Sequence, residues 1–175
     1  MRQHSVIGLF GAVWGLMGVL VLLLSACFRL WPKAVDAFSH PFGLHHWLSL
    51  IVIVLGMAYA EGYKGFQKAF SPRVAARARY LRDNPRPLHV LLAPLFCMGY
   101  FHATKRRQIT SLSLTLGIIV LVVLVSYVAQ PWRGIIDAGV VVGLAWGVLT
   151  VAMYGLSALR SRDFSYSPEV PDGKP

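Results

Sequence analysis

Long uncharged blocks alternate with short polar clusters along this chain, and the blocks have the length of membrane spans. A helix crossing a bilayer needs about 20 mostly apolar residues at ~1.5 Å rise each. Residues 6–28 carry no charge, and residues 47–63 carry none until Glu61. Residues 112–130 contain the run GIIVLVVLV, whose β-branched residues are helical in lipid because every backbone group must be satisfied internally. Residues 134–159 have a single acid, Asp137, near their start. Only Gln130-Pro131-Trp132-Arg133 join the last two blocks, which predicts a tight antiparallel hairpin. The pattern predicts an all-α integral membrane protein with four transmembrane helices.

A fifth apolar stretch, residues 88–103, is shorter and has Pro94 at its middle. A run of that length is re-entrant, interfacial or packed on protein more often than it crosses, and a central proline removes a backbone bond and invites a kink. Charge agrees with this count. Lys64, Lys68, Arg73, Arg77, Arg79, Arg82, Arg86, Lys105, Arg106 and Arg107 face one acid, Asp83, between residues 64 and 107. Lysine and arginine mark the cytoplasmic side of short loops. Four spans with both termini inside place all ten in the cytoplasm, whereas a fifth span would split them. The expectation is therefore a basic amphipathic and re-entrant cytoplasmic insertion over residues 64–111, between helices 2 and 3, in a bacterial inner membrane. The polar residues 161–175 read as a mobile tail.

Composition sharpens the class. The chain is 56% apolar and 14% charged, with mean hydropathy +0.58 and net charge +10. Soluble domains carry about a quarter charged residues, so an ordinary soluble domain and a disordered chain are excluded. Two cysteines exclude a disulfide framework and a cysteine-built zinc module. Leu24-Ser25-Ala26-Cys27 resembles a bacterial lipoprotein processing site. The preceding apolar block is longer than the 7–15 residues of a secretory core, and the chain continues Phe28-Arg29-Leu30-Trp31, so a retained anchor is the reading.

Glycine spacing is the most specific signal within the spans. Gly139, Gly143 and Gly147 form GxxxGxxxG, and Gly8, Gly11, Gly15 and Gly18 share a face of the first span. Small residues one turn apart let helix backbones approach closely. Either face could receive a partner subunit, but the expectation is an internal seam between the first and fourth spans. In the insertion, Ser71-Pro72 reads as a helix start, and Asn84-Pro85 as its end. Val74, Ala78 and Leu81 lie on one face of that helix, and Arg73, Arg77, Arg79 and Arg82 occupy the rest. With Lys105, Arg106 and Arg107 they are expected to meet anionic lipid headgroups, at about 1 kcal/mol per basic residue. A nucleic-acid role lacks the interleaved aromatics of a stacking platform.

Candidate chemistry is sparse. His89 and His102 are the best haem candidates, and with Tyr100 they could hold a quinone or a lipid headgroup, but no nucleophile–base–acid set accompanies them. His45 and His46 lie at the opposite membrane face and cannot share a haem with that pair. His40, His45 and Asp36 match no metal signature, and no metal site is assigned. Glu61 reads as an interfacial ion pair with Lys64, three residues on, with an ion- or proton-carrying role as the sharper alternative. The expected function is a non-catalytic accessory subunit or assembly factor of a membrane complex. A haem-, quinone- or lipid-directed protein using residues 88–107 and a small transporter are the alternatives.

Overall fold

A computed structural model describes residues 6–161 and 164–171. Among them every regular element is helical: α1 (Val6–Asp36), α2 (Leu44–Met57), a π-type segment (Ala58–Phe70), α3 (Ser71–Asp83), α4 (Pro87–Leu91), α5 (Ala93–Met98), α6 (Lys105–Ser126) and α7 (Trp132–Arg160). Four helical runs are long and apolar enough to cross a membrane, namely Val6–Ser39, Leu44–Asp83, Lys105–Ser126 and Trp132–Arg160. The fifth apolar stretch is not among them. It forms the two short helices α4 and α5, broken at Leu92 just ahead of Pro94.

Two boundaries differ from the sequence reading. The first span does not end at residue 28 but continues as helix through Pro32 to Asp36. Nor does Ser71-Pro72 start a separate amphipathic helix. The second span runs unbroken for 40 residues into α3, through turns wider than α. Pro72 explains why the register changes there. A proline inside a helix lacks its amide donor and its ring clashes with the carbonyl four residues back. Wider turns relieve that clash, and the Ser71 N–H indeed bonds the carbonyl of Phe66, five residues back. The helix stays continuous and becomes a wall of the interior.

The bundle is built around α7, which packs along α1, along α2 with its π-type continuation, and along α3. Both glycine faces are filled within the chain, but not by each other. On α1, Gly11 lies against Val90 and Leu81, Gly15 against Cys97 and Ala93, and Gly18 against Pro94. On α7, Gly139 receives Ile53 and Met57, Gly143 receives Glu61, and Gly147 receives Phe66. The expected packing of the first span against the fourth is present, but most of the glycines of the two faces open onto two other seams. The side chains of the α4–α5 hairpin and of the π-type segment are the knobs that fill them. Helices α1 and α7 still meet directly, through Gly155 against Leu16 and Gly134 against Ala37. Ser71 Oγ and Thr150 Oγ1, 2.8 Å apart and buried, pin α3 to α7.

The tail also departs from expectation. Residues 164–171 fold back on the lobe formed by α3, α4 and α5, where Val170 is buried in the core with Phe96 and Leu81. The Thr104 N–H bonds the Glu169 carbonyl at 3.0 Å, and Tyr166 packs edge-on against Tyr154. One apolar side chain and a set of satisfied carbonyls anchor a segment whose composition reads as polar. Arg162, Asp163 and residues 172–175 lie outside the described residues.

Candidate functional site

The chemistry-bearing residues of the insertion gather in the lobe formed by α3, α4, α5, the start of α6 and the tail. At its centre is Arg77. The sequence reading placed it at lipid headgroups, yet it is 1% exposed. Helix α3 is buried against α1 on one side and α7 on the other, so its arginine-bearing face points into protein. The Arg77 Nε–H donates to the Phe96 carbonyl at 2.6 Å, and its terminal nitrogens donate to the carbonyls of Pro168, Phe101 and His102 at 2.8, 3.0 and 3.1 Å. The guanidinium also stacks 4.2 Å from the Phe96 ring centroid. Arginine suits this work because its planar fork serves several acceptors at once. The acceptors are carbonyls at the end of α5, of the loop after it and of the tail; the Phe96 carbonyl also takes the Gly99 N–H at 3.0 Å.

Arg79 and Arg82 are likewise turned to protein. Arg79 donates to the Ser161 carbonyl at 3.1 Å and Arg82 to that of Leu159 at 2.8 Å. Both cap the C-terminal end of α7, where free carbonyls and the helix dipole favour cations. Asp83 accepts from Arg82 at 3.0 Å. Arg107 is 7% exposed and lies over Gly99, which ends α5 in a left-handed conformation (φ 84°). A Cβ at Gly99 would sit 3.1 Å from Arg107 Nε, so glycine serves here both the backbone conformation and the close approach. Of the seven basic residues assigned to headgroups, Lys105 and Arg106 face outward, and Arg73 is half-buried.

His89 and His102 are brought together, with ring centroids 4.6 Å apart. His89 is buried and stacks on Phe96 at 5.0 Å. Burial, His102, Arg86 and Arg77 all hold its imidazole below the ordinary histidine range. Tyr100 does not join them, because its hydroxyl bonds Thr115 on α6. Haem does not fit this pair. A bis-histidine haem puts the iron and the porphyrin plane between its two imidazoles, and rings in near-contact leave no space for one. Cys97, buried beside Gly15, has its thiol pushed up to about 12 by burial, the setting of an inert structural cysteine.

The remaining candidates are dispersed. Glu61 makes no ion pair with Lys64 among the described residues. The Lys64 ammonium sits 4.8 Å from the Tyr59 ring centroid, and the Glu61 side chain packs on Gly143 at the α7 seam. At the opposite end, His40 Nδ1 meets the Asp36 carbonyl and His46 Nδ1 accepts from the Gly43 N–H. No three His, Cys, Asp or Glu side chains converge among the described residues. An open groove of about 540 Å³ runs beside α7, lined by Gln67, Trp146, Thr150, Met153, Tyr154 and Ser157. Two of its polar groups are already engaged, Gln67 by the Trp146 N–H at 2.9 Å and Thr150 by Ser71. Comparison with models of known families, with curated proteins and with solved structures found no match.

The sequence reading missed the pairing of Ser71 with Thr150 and the role of the tail. A signal for the latter existed in Tyr166, Pro168 and Val170, apolar residues set in an otherwise polar stretch. For Ser71, the capping reading of Ser-Pro masked a hydroxyl that serves another helix.

Proposed function

We propose that the protein is a non-catalytic accessory subunit or assembly factor of a membrane complex, in a bacterial inner membrane, with both termini on the cytoplasmic side. One observation carries this reading. In the most apolar windows of the second candidate span and of α6, 0% and 6% of residues are buried within the chain, against 44% for α7. A Cβ at Gly117 would meet nothing within 4 Å. The glycine faces are occupied from within, so the outward face of α2 and nearly the whole of α6 are left uncovered. Helix α6, which barely touches the other helices, is the surface we assign to a neighbouring subunit, while Lys105 and Arg106 at its end suit anionic headgroups. The buried polar groups of the lobe support the same reading, because they are spent on main-chain carbonyls and α7 capping.

The test is extraction in a mild detergent followed by native mass measurement. A particle well above 19.3 kDa plus micelle, with co-purifying chains, is expected. Replacing the small residues around Gly117 by tryptophan should strip those chains while the bundle keeps its melting temperature. A clean monomer from the native membrane would refute the proposal. A reporter fused after residue 175 should read as cytoplasmic.

A further inference from the structure

The groove beside α7 is held in shape at both ends, and its polar side chains are largely engaged. At one end the Trp146 ring lies against Gly62, where a Cβ would meet it at 3.0 Å. The Trp146 N–H is fixed on Gln67 at 2.9 Å. At the other end Tyr154 packs edge-on against Tyr166 of the tail, with 5.7 Å between ring centroids. The Thr150 hydroxyl is shared by Ser71 and the carbonyls of Trp146 and Gly147. Between the two ends Leu149 and Met153 are 65% and 70% exposed. A ligand there meets a preformed apolar surface whose Gln67 and Thr150 side chains already have partners, which selects hydrocarbon.

Length and charge select the kind of hydrocarbon. From Trp146 to Ser157 helix α7 rises by ~16 Å at ~1.5 Å per residue. One leaflet's hydrocarbon is as deep, about half of ~30 Å. Trp146 is the middle residue of α7 and Ser157 lies in its last turn, so the groove runs from the centre of this candidate span to its end. Trp146, Thr150, Met153 and Ser157 form one stripe of the helix, and the same spacing carries that stripe on to Arg160. Arg160 is exposed, and it is the first charged residue of α7 after Asp137. Lys68, beside Gln67, has its ammonium over the Tyr63 ring instead, 4.5 Å from the centroid. Tyr154 and Tyr166, near the Arg160 end, are of the residue type that marks a membrane–water interface.

We propose that this groove binds one acyl chain of an anionic phospholipid of the inner leaflet, with Arg160 receiving the headgroup phosphate. An apolar groove that ends in an exposed cation complements an amphiphile whose hydrocarbon ends in an anion. The guanidinium fork matches phosphate oxygens. An extended peptide would bring main-chain amides that this surface cannot serve. The inference rests on the membrane placement of α7 and not on the accessory role, since a monomer would bind the same lipid.

The test uses the full chain in an uncharged maltoside detergent, with bound lipid read by native mass spectrometry. Phosphatidylglycerol and phosphatidylcholine with identical chains are titrated separately. One phosphatidylglycerol should bind about fivefold tighter than phosphatidylcholine, the equivalent of ~1 kcal/mol for one basic residue. Arg160→Gln should erase that preference and leave phosphatidylcholine binding unchanged. Met153→Trp, at an exposed lining position, should fill the groove and weaken both lipids while the parent's melting temperature is kept. Equal affinity of the parent for the two lipids would overturn the proposal, as would a preference that survives Arg160→Gln. So would a photocrosslinker at position 153 that captures a protein chain and no lipid in the native membrane. A chain that stays in the membrane fraction and shows no preference refutes this inference alone. A chain found in the soluble fraction refutes the membrane placement with it.

Discussion

Replacing Arg77 by methionine removes the guanidinium while keeping much of the side-chain volume, and so isolates what its hydrogen bonds contribute. Four carbonyls lose the guanidinium as a donor: Phe96, Phe101, His102 and Pro168. A buried acceptor left unsatisfied costs roughly 1–3 kcal/mol. The Phe96 carbonyl loses a wholly buried bond but keeps the Gly99 N–H at 3.0 Å, so it counts in part. The other three bonds are partly buried, so water relieves some of their loss. The total is about 3–5 kcal/mol, the range seen when one partner of a buried charged network is removed. At ~2–4 °C per kcal/mol for a chain of this size, the melting temperature falls by roughly 6–20 °C. The tail supplies a second readout, since the Pro168 carbonyl is one of the four acceptors. Limited proteolysis should cut residues 164–171 faster in Arg77→Met than in the parent. A melting temperature within about 2 °C of the parent, with unchanged tail cleavage, would refute the account of Arg77 as the organiser of the lobe.

The other expectations concern packing, protonation and reactivity. Gly8→Ala should destabilise severely, since its Cβ would collide with the Arg82 carbonyl, a backbone atom that cannot yield cheaply; Gly117→Ala, in open space, should be neutral or stabilising by up to ~1 kcal/mol, and equal effects in a thermal melt would contradict the assigned packing. His89 is held below its ordinary value of 6.5, so the unfolded chain binds more protons and stability rises with pH. Its contribution is complete above pH 6.5 and is lost as pH falls below that value toward the folded one; His89→Gln should flatten the stability–pH slope there, and an unchanged slope would count against its burial. Cys97, with its thiol at about 12, should resist N-ethylmaleimide at pH 7.5 until the protein is unfolded, and labelling of the folded protein would show the α1–α5 seam to be open.

Hydropathy found the four helices long and apolar enough to span a membrane and set the fifth stretch apart, because length and Pro94 act locally. What periodicity could not supply was pairing. Gly15 and Gly143 advertise close approach, but a glycine says only that something comes near, not what does. Cys97 and Glu61 are the answers, and they lie far along the chain. The continuous helix through Ser71-Pro72 was hidden for a different reason. Proline punctuation assumes α-register, and a π-type turn absorbs the clash on which that rule depends. The candidate site was half legible. His89 and His102 were singled out together and do meet, while Tyr100 was drawn away by Thr115.

The basic insertion shows where sequence charge misleads and which finer signal remains in it. A lipid phosphate and a main-chain carbonyl are both oxygen acceptors, so a surplus of cations does not say which of them it serves. Side-chain type separates the two. The three lysines of this region, Lys64, Lys68 and Lys105, are all exposed, and the first two rest on Tyr59 and Tyr63 with their ammonium groups outward. That is snorkelling, which a flexible stem and a compact charge allow. The residues turned inward are all arginines: Arg77 and Arg107 in the core, Arg79 and Arg82 on the end of α7. A fixed fork with five donors can satisfy several carbonyls without further ordering, and it stays charged when desolvated. Arginine rich in alanine neighbours, as in PRVAARARYLR, therefore marks a helix that packs on protein through its charged face. Replacing the four inward arginines by lysine, at constant net charge, should leave membrane association intact and collapse the lobe. If charge alone were the determinant, the lysine variant would melt with the parent.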